Sequence, residues 1–321
     1  MKRVATLVAL LLLIANAGFS QVISLRKNWR FRVGDDLAWA STAFDDSRWD
    51  MIRVPSHWED DGFNGYDGFA WYRTKFDGNV LDQEEVYYLN LGFIDDCDEV
   101  YVNGRPIGFS GQFPPKFKTA YNNERKYVLP SEILNFKGEN IIAVRVFDAF
   151  QGGGIWDGRI GIYTLGQTNK LLVDLQGIWN FARTRSEDGV PDDEDWENIM
   201  VPAPWEHQGF SRYDGFARYR KTFSLPAKFT TEDCVLMLGK IDDFDKVYLN
   251  GKLIGTTNDH RPYGSSESYQ VERVYKIPKE LLKRGASNTV EVIVEDMGNI
   301  GGIYEGRIGI TTRANYERYF R

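Results

Sequence analysis

VPSHWEDDGFNGYDGFAWYRTKF, residues 54–76, is written a second time as VPAPWEHQGFSRYDGFARYRKTF, residues 201–223. Fourteen of the 23 aligned positions are identical, at an offset of 147 residues. Solenoid repeats run to roughly 20–50 residues, so a period this long marks a duplicated domain. The match extends outward from this stretch. Trp29-Arg30-Phe31 precedes the first copy and Trp179-Asn180-Phe181 the second. Downstream, IDDCDEVYVNGRPIG (94–108) pairs with IDDFDKVYLNGKLIG (241–255) and ERKYVLP (124–130) with ERVYKIP (272–278). IIAVRVFD (141–148) then pairs with TVEVIVED (289–296), and GIWDGRIGI (154–162) with GIYEGRIGI (302–310).

These segments read as short strands. Asn103-Gly104 and Asn250-Gly251 lie between β-rich runs, and a type I′ hairpin turn needs positive φ at both of its central residues. Pro106 has no N–H to donate, which predicts an edge or bulged return strand. In FAWYRTKF (69–76), alternation puts Ala70, Tyr72, Thr74 and Phe76 on one face and Phe69, Trp71, Arg73 and Lys75 on the other. No long helical period occurs; ILNF (133–136) and KELLKRG (279–285) each suit one helical turn. Many short strands separated by Gly, Pro and Asn predict an all-β chain of antiparallel sandwiches or jelly rolls. The expected division is 21–166 and 167–321, joined by the short polar TLGQTNK (164–170), so that the two units touch.

Residues 1–20 read as a secretory signal peptide. Lys2 and Arg3 precede an apolar run from Val4 to Ile14, followed by small residues at Ala15, Ala17, Gly18 and Ser20. That run is too short to span a bilayer, which takes about 20 residues. The expected location is therefore secreted, periplasmic or extracellular. A net charge of −7 argues against nucleic acid and anionic membrane as partners. Nine Trp and seventeen Tyr supply rings that suit both sheet faces and sugar stacking. Cys97 and Cys234 occupy non-equivalent positions of the two copies, and both read as small buried apolar residues.

The combined series VP..W...GF..YDG.A.YR..F, LG.IDD.D.VY.NG..IG and GGI[WY] resembles the β-galactosidase jelly-roll domain. That is the sugar-binding domain of family 2 glycoside hydrolases, also embedded in sialate O-acetylesterases. The resemblance covers nearly all of the chain after residue 20, once per copy, and implies two tandem galactose-binding-like jelly-roll β-sandwiches. In those enzymes the catalytic Glu pair lies on a separate (β/α)8 barrel, and the esterase Ser–His site on a separate α/β domain. The resemblance therefore implies an accessory domain that supports a catalytic one. Its expected partners are a carbohydrate ligand and a secreted glycosidase or esterase. Sandwiches of this type often hold a structural cation, and Asp148 with glycines 152–154 offers oxygens for calcium. No cofactor is otherwise required.

Asp95-Asp96 and Asp242-Asp243 are sequence neighbours entering a strand, expected on opposite faces as turn or capping carboxylates. Glu124-Arg125 reads as a surface pair. His57, His207 and His260 are the only histidines, no Gly-x-Ser-x-Gly elbow occurs, and no His or Cys pair has zinc spacing. The sugar candidates are Trp71 and Arg73, on the strand face away from Tyr72, and Trp156, Asp157 and Arg159 in a Gly-rich stretch. Trp71 is expected to face outward because Arg218 replaces it in the second copy; Trp58 and Trp205 are expected in the core. Three function classes stay open: a non-catalytic carbohydrate-binding accessory protein, a protein-interaction sandwich with no sugar site, and a family 2-like hydrolase with an unrecognised site.

Overall fold

The structure, a computed structural model, describes residues 20–168, 170–210, 212–258 and 267–321. The predicted signal peptide (apart from Ser20) and His260 lie outside the described residues. The described residues are all-β with one α-helix, Arg313–Tyr319, which sequence reasoning missed. Thr312 starts it by accepting a hydrogen bond from the Asn315 N–H at 3.1 Å. The turn expected in 279–285 is present as the 3-10 segment Lys279–Leu281, whereas the one expected at 133–136 is displaced upstream, to Ser131–Ile133.

The described residues form four antiparallel sheets, two from each copy. In the first copy a six-stranded sheet runs in the order Asp50–Val54, Lys27–Val33, Gly68–Asp77, Glu139–Asp148, Cys97–Val102, Arg105–Ser110. A four-stranded sheet runs Ser20–Ser24, Gly154–Thr168, Glu85–Asp95, Glu124–Leu129. The second copy repeats both orders, with Glu197–Val201, Gly177–Thr184, Gly215–Ser224, Ser287–Asp296, Phe244–Leu249 and Lys252–Thr257 in its larger sheet. Its smaller sheet is Val173–Asp174, Gly302–Thr312, Cys234–Asp242, Glu272–Lys276.

Period-2 alternation builds one apolar core between the two sheets of each copy. Ile142, Val144 and Val146 from one sheet meet Leu89, Leu91, Ile160 and Ile162 from the other. Val290, Val292 and Val294 with Leu236, Leu238 and Ile308 do the same in the second copy. Trp58 and Trp205 are fully buried, as expected. Both cysteines are buried and free. Asn103-Gly104 and Asn250-Gly251 have the positive φ of the expected hairpin turn. The strand of Pro106 is an edge strand with a register shift beside it, again as expected.

Three expectations are corrected. The TLGQTNK stretch is largely strand: Gly154–Thr168 continues through it and pairs Thr164 with Tyr87. Trp71 is on the face away from Tyr72 but is not exposed (0%). The segment from Leu37 to Trp49 folds over that face, and Trp71 packs with Trp39, Trp49 and Tyr101 in a small second core. Its indole N–H donates to Asp35 Oδ1 at 3.0 Å. Arg73, only 1% exposed, is held by Asp46 at 2.8 Å under the same cover. The exchange to Arg218 works because the covering loop differs: Arg218 donates to the carbonyls of Gly189 at 2.6 Å and Glu187 at 3.0 Å.

The copies touch, as expected. Met200 packs against the first core, Asn123 Nδ2 donates to His207 O at 3.4 Å, and the Lys118 ammonium donates to Gly209 O.

Candidate functional site

Asp148 is the last residue of its strand and continues the inward register of Ile142, Val144 and Val146. Burying a carboxyl there closes the sheet end with a charged group where the apolar core stops. Asp95 ends a strand of the other sheet and Asp96 forms the bend that follows, with a cis peptide between them. Contrary to the alternation expected, the pair does not diverge: carboxylate oxygens of Asp95, Asp96 and Asp148 all lie within 4.8 Å of one another. The second copy repeats the cluster with Asp242, Asp243 and Asp296. Asp96 Oδ2 accepts from Ala149 N at 2.9 Å, and Asp148 Oδ1 from Phe150 N at 3.3 Å. Asp148 Oδ2 and its equivalent Asp296 Oδ2 are buried with no hydrogen-bond partner.

Beneath each cluster lies an ion pair that the sequence reading placed on the surface. Arg125 is fully buried and pairs with Asp98 at 2.7 Å, not with Glu124. Its remaining donors reach Asn123 O at 2.6 Å and Asp96 O at 2.9 Å, while Tyr127 OH donates to Asp98 Oδ2 at 2.5 Å. Arg273, Asp245 and Tyr275 repeat the network, with the ion pair at 2.7 Å. The signal in the sequence is the Arg written at the same place in both copies, Arg125 and Arg273, together with the third Asp of IDD-x-D, Asp98 and Asp245.

Like charges and burial shift these carboxyls upward. Burial, then Asp96 and Asp148, push Asp95 up to about 7, and burial, then Asp243, pushes Asp242 up to about 8. Burial raises Asp148 to about 6 and Asp296 to about 7. An unfolded Asp titrates near 3.9, so the folded chain holds more protons than the unfolded chain between about pH 4 and pH 8. Stability from these groups is therefore present at the acid end and lost as pH rises through the folded values. With chelator present, the melting temperature is expected to fall from pH 6 to pH 8.5. A melting temperature that is flat or rises over that range contradicts the assignment.

The glycine run after Asp148 is set by a close approach. A Cβ at Gly153 would lie 2.2 Å from the Trp58 ring, and one at Gly301 would lie 1.9 Å from Trp205. Gly153 O accepts from Trp58 N at 3.1 Å and Gly153 N donates to Glu59 at 3.2 Å. Carboxylate oxygens of Asp95 and Asp96 lie within 4.8 Å of Asp148, beside the glycine run. The same loop sets Trp156 parallel to the His57 ring, at 5.4 Å and 7°, with Phe93 tilted against it at 5.9 Å. Trp156 is half-buried and Asp157 and Arg159 are exposed, Arg159 pairing with Glu124 at 3.3 Å. Of the five sugar candidates, Trp156, Asp157 and Arg159 lie on the strand Gly154–Thr168 and not on the expected loop, Trp156 against His57 and Phe93 and Arg159 against Glu124, while Trp71 and Arg73 are buried in the other sheet.

At the corresponding end of the second copy an open cleft of about 680 Å³ is lined by Asp242, Asp243, Tyr269, Met297, Ile300 and Tyr304 among others. Tyr304 OH donates to Tyr269 O at 2.7 Å, and Lys240 pairs with Glu305 at 2.9 Å.

The sequence profile of the β-galactosidase second all-β domain matches residues 34–149 and 192–300, well over half of the chain. The chain belongs to this family. Its two matched segments fall one in each copy. Among curated proteins it is similar to the β-galactosidase BoGH2A of Bacteroides ovatus, 26% identical over 167 residues, covering 47% of this chain and 19% of that protein. A β-glucuronidase of Streptococcus agalactiae is also 26% identical over 167 residues, covering 49% and 26% respectively. The chain thus spans about a quarter or less of the length of these relatives. Among solved structures, a Bacteroides uniformis β-glucuronidase is similar at 17% identity and a TM-score of 0.36, over 88% of this chain and 28% of that one. The family assignment covers the whole IDD-x-D, NG and ER series that builds the two loop ends. Among the described residues the family's β-sheets account for the fold, with no (β/α)8 barrel, and no helix is long and apolar enough to cross a membrane.

Proposed function

We propose that the chain is a secreted, non-catalytic carbohydrate-binding accessory protein, built as two galactose-binding-like jelly rolls at 21–166 and 167–321. Family membership in both copies and a separate apolar core in each support the duplicated reading. The observation that carries sugar binding is the Trp156 ring, backed by His57 near the start of the strand Gly154–Thr168, with Asp157 and Arg159 beside it in sequence. Sugars present C–H faces to a supported ring and hydroxyls to nearby charged groups. Trp71 and Arg73 take no part, because the segment from Leu37 to Trp49 covers them. The partner that this reading implies is a secreted glycosidase, in keeping with the relatives' names, or an esterase.

A glycan array probed with residues 21–321 tests this reading, and retention of one glycan class is the expected result. An array with no retained glycan favours a protein-interaction module instead. Turnover of aryl-glycosides that is abolished by one carboxylate substitution would establish a hydrolase and overturn the non-catalytic part.

A further inference from the structure

We infer that Trp156 stands at one end of a longer groove, which follows the seam between the two copies and holds a linear, uncharged glycan chain of several sugar units. This rests on the carbohydrate reading above and adds to it the length and charge of the ligand and a part for the second copy.

The seam is open where the copies face each other. One cleft of about 310 Å³ has Ser110 and Lys126 from the first copy and Met200 and Pro202 from the second in its lining. A wider one of about 630 Å³ is lined by Phe117 and Thr119 from the first copy and by Glu206 and Gly209 from the second. Asn122, Asn123 and His207 line both clefts, so the two meet at these residues. Direct contacts hold the copies together there. Asn123 Nδ2 donates to His207 O at 3.4 Å, and the Lys118 ammonium, 5.3 Å from the centre of the Phe210 ring, donates to Gly209 O.

The narrower cleft leads to Trp156. Glu124 lines it and pairs across the sheet with Phe93, which puts both side chains on one face. Phe93 in turn lies 5.9 Å from the Trp156 ring, and Arg159, three residues along the same strand, reaches Glu124 at 3.3 Å. Residues in contact therefore join the ring to the narrower cleft, and shared residues join that cleft to the wider one.

The lining selects the class of ligand. The side chains of Thr119, Asn122 and His207 are exposed and offer neutral donors and acceptors of the kind that sugar hydroxyls need. Phe117, 38% exposed, and Pro202 add apolar surface for C–H faces. Lys118 and Lys126 are matched by Glu124 and Glu206, so the lining has no excess charge to draw a polyanion or a basic peptide. Pockets for drug-sized ligands run to about 300–1,000 Å³, so the two clefts together have room for more than one sugar unit.

Titration calorimetry of residues 21–321 tests this, with soluble ladders of one to six units of β-linked glucose, mannose, galactose or xylose. One ladder is expected to bind, its six-unit member at least about tenfold tighter than its two-unit member, a gain that one or two net hydrogen bonds supply. In the double variant Asn122→Ala, His207→Ala that gain is expected to shrink to about twofold or less, with two-unit binding and the melting temperature unchanged. Trp156→Ala is expected to abolish binding of both lengths. Equal affinity for two and six units in a ladder that Trp156→Ala abolishes would overturn the inference and leave the single-ring site standing. A length dependence kept in the double variant would overturn it as well, because the added contacts would lie outside the seam. Binding of no uncharged ladder would also overturn it, and the glycan array then decides separately whether the carbohydrate reading survives.

Discussion

Arg125→Met is expected to lower the stability of the first copy by about 3–5 kcal/mol, the usual cost of removing one partner from a buried ion pair. Arg125 is fully buried, and Asp98 beneath the loop end is buried with it, accepting from Arg125 and from Tyr127. Without the guanidinium, Asp98 keeps one donor in a dry site, and the carbonyls of Asn123 and Asp96 lose theirs. Asp98→Asn leaves Arg125 as the uncompensated charge and is expected to cost a similar amount. The double variant Arg125→Met, Asp98→Leu is expected to lose less than the sum of the two single changes, because no lone charge stays buried. Urea denaturation of all three measures this. Additive losses, or a single-variant loss below about 1 kcal/mol, would place the pair at the solvated surface where exposed pairs contribute little.

Trp71→Ala is the second large effect, about 3–5 kcal/mol, from the lost apolar area and the cavity left under the segment from Leu37 to Trp49. The ring is 0% exposed, packs on Tyr101 and Trp39, and satisfies Asp35. The equivalent Arg218→Ala is expected to cost only about 1 kcal/mol, since that side chain is half-buried and loses two bonds to loop carbonyls. A Trp71→Ala variant that melts like the parent would mean that the covering segment does not hold in solution.

Trp71 also shows where the sequence stops being legible. Alternation along FAWYRTKF separates the two faces correctly, because the pleat is local. What covers the outer face is set by residues about 20–35 positions away, and an exchange for Arg reads the same whether the cover is solvent or a carbonyl-lined loop. Arg125 and the Asp95-Asp96 pair fail for a related reason. Their partners Asp98 and Asp148 lie 27 and roughly 50 positions off and meet them only because one sheet packs on the other. By contrast the Asn-Gly hairpins, the Pro106 edge strand and the core Trp58 and Trp205 follow from short-range rules or from the duplication itself, and each stands as expected.

The proposed sugar site at the first copy's loop end is tested most directly by affinity electrophoresis of Trp156→Ala and Tyr304→Ala through gels carrying the glycan that the array selects. A single supported ring with a few exposed hydrogen bonds should bind weakly, on the order of millimolar to tens of micromolar. The account predicts that Trp156→Ala loses retention with its melting temperature nearly unchanged, and that Tyr304→Ala keeps it. Retention lost in Tyr304→Ala and kept in Trp156→Ala would move the site to the 680 Å³ cleft of the second copy and contradict the account.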